Sequence, residues 1–307
     1  MTASTEKAPR DLVLTEVGLR DGLQLEAATI PTTVKIELAV AFDQAGYRRI
    51  EVGSFVSPRA VPSMADTGAV MDALRGRVRA ELQVLAANVR GVEQAAAAGA
   101  DVVNIVVATT ETMNARNAGC TVDEAVGIVE KASGRGDELR VAAIIATAFA
   151  CPYEGPVEPE VSLGLVDRVV AAGATRVTLA DTVGAAHPAA VAQLVARTRE
   201  RHPGLDLGFH AHDTRGMGLV NALAAVEAGV DGLDSSLGGL GGCPFAGKGA
   251  AGNVASEEVI GALDDLGRPP GVDLDRIAAC SAHLEDLLGR SLPSRRLALF
   301  RATGTAR

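Results

Sequence analysis

Two histidines, His210 and His212, are separated by a single residue in the apolar segment 206–212. If this segment is a β-strand, side chains at positions i and i+2 point to the same face, so both imidazoles can approach one ion. Asp21 and Asn253 offer a carboxylate and an amide oxygen. Together the four residues form a mixed oxygen and nitrogen ligand set that is compatible with Mg²⁺, Mn²⁺ or Zn²⁺. The sequence therefore predicts a divalent metal site at these four residues.

A glycine-rich segment at 240–246 (LGGCPFA) contains Cys243. We expect a mobile loop that carries the Cys243 thiol over the metal site, where the thiol can donate or accept a proton. A flexible turn with an incidental thiol is the alternative. Cys151, within 150–155 (ACPYEG), is the rival thiol, and for it a structural role is favoured.

A regular alternation of short β-branched apolar runs and amphipathic helical segments must position these residues. Eight strands that are each followed by a helix, within about 250 residues, are typical of a (β/α)8 barrel, and a doubly wound open sheet is the alternative. No glycine fingerprint of a dinucleotide site follows the first strand, so we predict an α/β fold of the (β/α)8 TIM-barrel class. The predicted strands are 12–17, 49–54, 81–86, 102–108, 140–147, 176–180, 206–212 and 232–236.

We predict a single catalytic domain over residues 1–307, with the barrel at about 12–266 and a C-terminal helical extension at about 273–290. In such a barrel, polar residues at the C-terminal ends of the strands build the active site. Because the eighth strand of a closed barrel lies between the seventh and the first, the four ligand candidates are expected to be neighbours. Besides these, the polar residues at strand ends are Arg20, Glu51, Asn88 and Asp181.

The amino-acid composition argues against some classes of binding partner. The chain has 29 Lys and Arg residues against 38 Asp and Glu residues, a formal charge of −9 that argues against binding to nucleic acid or to an anionic membrane surface. Its four cysteines show no CxxC spacing, no apolar run is long enough to span a bilayer, and the N-terminus has no leader-like apolar region. These features favour a reducing bacterial cytoplasm.

Seven segments, in order between about residue 12 and residue 288, carry a resemblance to a known family. They are EVGLRDGLQ at 16–24, SFVSP at 54–58, VPSM at 61–64, CPYEG at 151–155, LADTVG at 179–184, HAHDT at 210–214 and GLGGCPF at 239–245. They resemble the 3-hydroxy-3-methylglutaryl-CoA (HMG-CoA) lyases, which belong to a superfamily of metal-dependent TIM-barrel lyases and aldolases. RDG and HxH are shared by the superfamily, whereas SFVSP, CPYEG and GLGGCPF point to the lyase branch.

The resemblance implies retro-Claisen cleavage of a 3-hydroxy-3-methylglutaryl thioester into acetyl-CoA and acetoacetate. The implied substrate is thus an acyl-CoA, and the implied cofactor is a divalent cation, Mg²⁺ or Mn²⁺ in most of the family. By similarity, the ligands would be Asp21, His210, His212 and Asn253. The family also implies a homo-oligomer, specifically a dimer.

The resemblance further implies roles for the remaining polar residues. Arg20 would stabilise the enolate oxygen that develops on the thioester carbonyl, and Cys243 would protonate the acetyl-CoA enolate. Glu51 and Asp181 would support Arg20 and the metal-site residues or assist proton transfer. Either a histidine or an aspartate takes the proton of the substrate hydroxyl, with His210 and Asp21 as candidates.

Three features depart from the family pattern. Leu25-Glu26-Ala27 replaces the usual Asn-Glu-Lys, Ala142 stands where the family usually has Arg, and the interval from Cys243 to Asn253 is one residue longer. These changes indicate a different or larger 3-hydroxyacyl group. A lyase for another 3-hydroxyacyl-CoA, a condensing synthase or aldolase of the same superfamily, and a non-catalytic binding protein therefore stay as alternatives.

Overall fold

A computed structural model of the chain describes residues 11–26, 28–242 and 252–307, and eight parallel strands form its centre. The strands are β1 (Val13–Glu16), β2 (Arg49–Phe55), β3 (Glu81–Ala86), β4 (Val102–Ala108), β5 (Arg140–Ala146), β6 (Arg176–Asp181), β7 (Asp206–Ala211) and β8 (Gly232–Ser235). Each strand pairs with its sequence neighbours, and β1 pairs with β8 to close the ring. This order confirms the predicted (β/α)8 barrel and excludes the open sheet.

Helices surround the barrel, and the hydrophobic core lies between the two layers, where Phe42, Ile105 and Phe209 are fully buried. The helices are α1 (Thr32–Ala45), α2 (Thr67–Leu74), α3 (Val89–Ala97), α4 (Glu111–Ala118), α5 (Val122–Ser133), α6 (Pro159–Ala171), α7 (Pro188–Arg201), α8 (Gly218–Ala228), α9 (Ser256–Asp265), α10 (Leu274–Leu288) and α11 (Arg295–Thr303). Within the described ranges, no helix combines the length and the apolar character that a membrane crossing needs.

Local capping explains where several helices begin and end. Thr121 and Glu124 form a reciprocal capping box at the start of α5, which satisfies backbone N–H groups that would otherwise have no partner. Asn88 accepts the N–H of Gly91 at 2.9 Å and so caps α3. Gly229 ends α8 in the left-handed conformation that glycine adopts readily.

The structure departs from the predicted elements at three places. Strand β5 ends at Ala146 because Thr147 has a φ of 56°, outside the β region. The next residues form a two-residue antiparallel pair, Ala150–Cys151 with Gly155–Pro156, instead of continuing the strand. The C-terminal extension is confirmed as α10, but α11 follows it and was not predicted, because its basic sequence buries only Leu297. The assignment of the chain to one domain stays a prediction.

A network of ion pairs fills the N-terminal end of the barrel. Arg49 and Arg176, the first residues of β2 and β6, each donate to Asp206 Oδ2 at 2.7 Å, and Arg176 also donates to Glu81 Oε1 at 3.0 Å. Paired charges at these first strand positions fill that end, and the C-terminal ends of the strands remain for the site.

The start of the segment after β8 is packed tightly against the C-terminal extension, which gives a stability prediction. Gly238 has a φ of 61°, and a Cβ placed there would collide with the side chain of Leu292. We expect Gly238→Ala to lower the free energy of unfolding by about 2–6 kcal/mol, the sum of left-handed strain and overpacking. Gly267→Ala is the matched control, since Gly267 has a φ of 71° with no neighbour within 4 Å.

Denaturant titration of the two variants measures this difference. Leu292→Ala should cost less in the Gly238→Ala background than in the wild type, because the colliding side chain has already lost its place there. Equal losses in the two glycine variants would contradict the packing argument.

Candidate active site

The candidate site begins at a single π-helical turn, Gly18–Gly22, that directly follows β1. The carbonyl of Val17 accepts the backbone N–H groups of Arg20 at 3.1 Å, Asp21 at 2.8 Å and Gly22 at 3.3 Å. π-Helical turns are rare in proteins, and those that do occur are often found at functional sites. The turn presents Arg20 and Asp21 at the C-terminal mouth of the barrel, where both are buried.

The Arg20 guanidinium is held by two carboxylates. Its Nε donates to Glu51 Oε2 and its Nη1 to Asp21 Oδ1, both at 2.5 Å. Glu51 in turn accepts a hydrogen bond from Asn104 Nδ2 at 2.7 Å. Burial opposes the charge of Arg20, but the two carboxylates outweigh burial and raise its pKa. Arg20 is therefore a permanent cation in a fixed orientation, and no described residue accepts a hydrogen bond from its Nη2.

Asp21 lies beside the two histidines. Its Oδ2 is 3.9 Å from Nε2 of His210 and 3.6 Å from Nε2 of His212, and the centres of the two imidazole rings are 5.0 Å apart. One ligand atom from each of the three residues lies within 4.8 Å of the others. Burial works against the Asp21 carboxylate, but Arg20 and the two histidines lower its pKa overall. The structure thus brings together three of the four predicted ligands as a buried cluster.

His210 is oriented by a residue that sequence reasoning missed. Its Nδ1 lies 3.2 Å from Oδ2 of Asp234, which is paired with it across β7 and β8. Burial opposes the imidazolium form of His210, but Asp234 and then Asp21 raise its pKa. A carboxylate on one ring nitrogen leaves the other nitrogen aimed at a ligand site, an arrangement that is typical of metal-binding histidines.

Asn253 completes the candidate ligand set. It forms an isolated antiparallel bridge with His212, is 2% exposed, and donates from Nδ2 to Asp21 Oδ2 at 2.9 Å and to the carbonyl of Leu240 at 3.2 Å. Its Oδ1 is buried and accepts no hydrogen bond from the described residues. A buried amide oxygen beside a carboxylate and two imidazoles fits a divalent cation, because such a cation would satisfy that oxygen.

The other predicted polar residues lie at strand ends in different roles. Both carboxylate oxygens of Asp181 accept backbone N–H groups, from Ala185 at 2.9 Å and from Ala186 at 3.0 Å, so Asp181 supports the loop after β6. Burial raises the pKa of Asp181. Cys151 is buried, and its Sγ is 3.1 Å from the hydroxyl of Thr110.

Cys243 lies outside the described residues, so its predicted place over the site stays a prediction. The described start of its segment does reach the cluster: a Cβ on Gly241 would approach Asn253 Nδ2 to 2.8 Å and the carbonyl oxygen of Asp21 to 3.5 Å. Gly241 has a φ of 122°, so this close approach needs glycine both for space and for backbone conformation.

Two of the three departures from the family pattern can be located. Ala142 is buried in the middle of the barrel, in register with Asn104 of β4 and Arg176 of β6, so an arginine from the next strand lies beside it. Leu25 is 48% exposed, and Glu26 forms an ion pair with Arg290 in the connection between α10 and α11. Ala142 is thus a change deep in the barrel and not at its mouth.

Glu16, another residue that sequence reasoning missed, connects three segments of the site. Its Oε1 accepts the N–H groups of Gly18 and Leu237 at 2.9 Å, and its Oε2 accepts the Ser256 hydroxyl at 2.6 Å. One fully buried carboxylate therefore joins the π-helical turn, the segment after β8 and the start of α9. Its position as a charged residue inside an apolar strand was the available signal in the sequence.

Comparison with known proteins gives a consistent assignment. The HMGL-like family model matches residues 11–284. The chain is 36% identical to mitochondrial hydroxymethylglutaryl-CoA lyase of Mus musculus over 96% of this chain and 91% of that protein. It is 38% identical to the cytoplasmic 3-hydroxy-3-methylglutaryl-CoA lyase of the same organism over 88% and 79%, respectively.

Similar solved structures belong to the same family as these sequence relatives. The HMG-CoA lyase of Bacillus subtilis superposes with a TM-score of 0.91 at 32% identity, covering 95% of this chain and 99% of that one. An HMG-CoA lyase from Acinetobacter baumannii, in complex with coenzyme A and 3-methylmalate, superposes with a TM-score of 0.90 at 35% identity over 99% and 97%.

The buried position of Glu16 gives a prediction about pH. Desolvation raises the pKa of this carboxyl from 4.5 to about 7, against the opposing effect of its three hydrogen bonds. The folded state therefore binds the proton more tightly than the unfolded state. The stabilisation by this group is complete below pH 4.5 and is lost as the pH rises to about 7, a change of about 3 kcal/mol.

Glu16→Gln keeps an acceptor for the two N–H groups but cannot ionise. Between pH 5 and pH 8, we expect its free energy of unfolding to fall less than that of the wild type, by up to about 3 kcal/mol. Denaturant titrations at four pH values test this, with the exposed Glu93→Gln as control. Parallel pH dependence in the wild type and Glu16→Gln would contradict the assigned protonation.

Proposed function

The chain belongs to the HMGL-like family, and we propose that it is a divalent-metal-dependent carbon–carbon lyase. The proposed reaction cleaves a 3-hydroxy-3-methylglutaryl-CoA-like thioester into acetyl-CoA and a 3-oxo acid. The observation that carries the proposal is the buried cluster of Asp21, His210 and His212 beside the guanidinium of Arg20. A homodimer is proposed from the family resemblance.

Asp21, His210, His212 and the Oδ1 atom of Asn253 would hold the cation, with Mg²⁺ or Mn²⁺ proposed from the resemblance. A cation bound there would orient the substrate and ease loss of the proton from its C3 hydroxyl. Asp234 keeps His210 in the orientation that the ligand set requires. Two groups of the cluster, Asp21 and His210, could accept the hydroxyl proton.

Arg20 is placed to stabilise the negative charge that develops on the enolate oxygen during the reaction. When the hydroxyl proton leaves, the C2–C3 bond breaks, C3 becomes the ketone of the 3-oxo acid, and the electron pair of the broken bond gives the enolate of acetyl-CoA. A fixed cation near the enolate oxygen lowers the barrier, because charge appears there only as the bond breaks. Glu51 and Asn104 hold the guanidinium in place, so little reorganisation is needed.

We propose that Cys243 delivers the proton that converts the enolate into acetyl-CoA. The contact of Gly241 with Asn253 and Asp21 supports this role, since Cys243 follows two residues later. Asp181 is proposed as a support for the loop after β6, through its bonds to Ala185 and Ala186.

The primary experiment incubates the protein with HMG-CoA and related 3-hydroxyacyl-CoA thioesters in Mg²⁺ or Mn²⁺ and measures acetyl-CoA by mass spectrometry. The proposal predicts stoichiometric acetyl-CoA and 3-oxo acid, and loss of both with a chelator. If no thioester is cleaved under these conditions, the lyase assignment is wrong.

Removal of the proposed proton donor tests the last step. We expect Cys243→Ala to lower kcat by about 10²–10⁴-fold, the usual contribution of general acid catalysis. Cys120→Ala, at a half-buried cysteine outside the site, is the control and should keep the wild-type rate. Full turnover by Cys243→Ala would favour a synthase or aldolase of the superfamily instead.

Removal of the carboxylate behind His210 tests the metal site without an activity assay. We expect Asp234→Asn to weaken binding of Mn²⁺ by about 10–100-fold, because the ring loses its orienting partner. Isothermal titration calorimetry measures the Kd, and Asp123→Asn, at an exposed aspartate, is the control. An unchanged Mn²⁺ affinity in Asp234→Asn would show that His210 does not depend on this contact.

A further inference from the structure

An aliphatic surface lies across the barrel from the charged cluster. Strand β5 is four positions around the ring from β1, so it is opposite the turn that carries Arg20 and Asp21. Val106 of β4 is in register with Ile144 of β5, and Leu85 of β3 is in register with Asn104 of β4. Residues in register on parallel strands share a face, and Ile144 and Asn104 both line the barrel interior. We call Leu85, Val106 and Ile144 the aliphatic wall.

The aliphatic wall is not fully covered by the protein itself. Leu85 and Val106 are half-buried although they lie in central strands of a closed barrel. Ile144 is 9% exposed, whereas the next residue, Ile145, which points away from the interior, is fully buried. The exposed apolar area therefore faces the interior, where an apolar group of a ligand would remove it from water.

Ile144 borders the same interior space as the residues that hold the charged cluster. It lines a cavity together with Glu51, which binds Arg20, and with Asp234, which orients His210. The cavity has a volume of about 10 Å³, roughly the space of one water molecule. Ile144 thus lies between the mouth and a small cavity in the barrel, and its size limits how deep a ligand can reach.

The chemistry of the proposed substrate indicates which group would contact this wall. Carbon C3 carries the hydroxyl, the thioester arm, a carboxymethyl arm and one alkyl group, and in the proposed reaction the first two face the charged cluster. The arginines deeper in the interior, Arg49 and Arg176, already donate to Asp206. They therefore offer little to the carboxylate of the substrate's carboxymethyl arm. An uncharged alkyl group is the substituent that the aliphatic wall fits.

We propose that the aliphatic wall binds the C3 alkyl group of the substrate, and that the preferred substrates are 3-hydroxyglutaryl-CoA thioesters whose C3 alkyl group is larger than methyl. Ile144 sets the upper limit on its length. This inference rests on the proposed lyase function and specifies its substrate class. Cleavage of such a thioester gives acetyl-CoA and a 3-oxo acid that is longer than acetoacetate by the added carbons.

A competition experiment tests the proposal with the full chain and Mn²⁺. An equimolar mixture of 3-hydroxyglutaryl-CoA thioesters with methyl, ethyl, propyl and butyl groups at C3 is cleaved in one tube, and the 3-oxo acids are counted by mass spectrometry. The ratio of products gives the ratio of kcat/KM values and does not depend on the fraction of folded enzyme. This makes the readout safe for variants that fold less well.

The wild type should favour ethyl or propyl over methyl by about tenfold, the usual effect of one methylene in an apolar pocket. Ile144→Ala should move the preference to butyl by a further tenfold or more, because it opens the way to the cavity, and Ile144→Phe should move it back to methyl. Ile145→Val, which changes the neighbouring side chain on the outer face, should leave the ratio unchanged.

Two failures can be told apart. If the methyl thioester is cleaved best and the product ratio is the same in Ile144→Ala and Ile144→Phe, the aliphatic wall does not bind the substrate, although the lyase function stands. If none of the four thioesters is cleaved, the proposed function itself fails.

Discussion

Closure of the barrel is the constraint on which the site depends. Because β1 pairs with β8 and β8 pairs with β7, residues separated by about 190 positions in the chain meet at one end of three adjacent strands. Asp21 follows β1, His210 lies in β7, and Asp234 in β8 stands behind it. An open sheet with the same strands would leave β1 at a distance from β7, and the cluster would not form.

The buried cluster around Arg20 contains more acidic than basic groups, and this excess bears on which ligand it can bind. Arg20 is surrounded by Asp21, Glu51 and Asp234, so the described cluster carries more negative than positive charge before the histidines are counted. Buried charges are costly unless they are paired, and an anionic acyl-CoA would add to the imbalance. A divalent cation bound there would offset this charge locally, and would reconcile the net charge of −9 with the proposed anionic substrate.

Much of the architecture could be predicted from the sequence, because the alternation of strand and helix patterns specifies the fold class directly. The HxH and RDG segments also predicted the cluster of Asp21, His210 and His212, because strand periodicity and barrel closure bring those side chains together. Asp234 and Asn104 could not be found this way, because their importance depends on the register between strands. Glu16 stood out only as a charged residue in an apolar strand, and its partners after β8 could not be predicted from that. Thr147 and α11 escaped prediction for local reasons: a positive φ at a β-branched residue, and a helix that buries a single leucine.

Asp21, His210 and His212 are proposed to hold one divalent cation at the mouth of the barrel. Anomalous diffraction from crystals soaked in Mn²⁺ measures this directly. We expect one strong peak bonded to a carboxylate oxygen of Asp21 and to Nε2 of both histidines, with the amide oxygen of Asn253 within bonding distance. A Mn²⁺ peak at other residues, with none at this cluster, would contradict it.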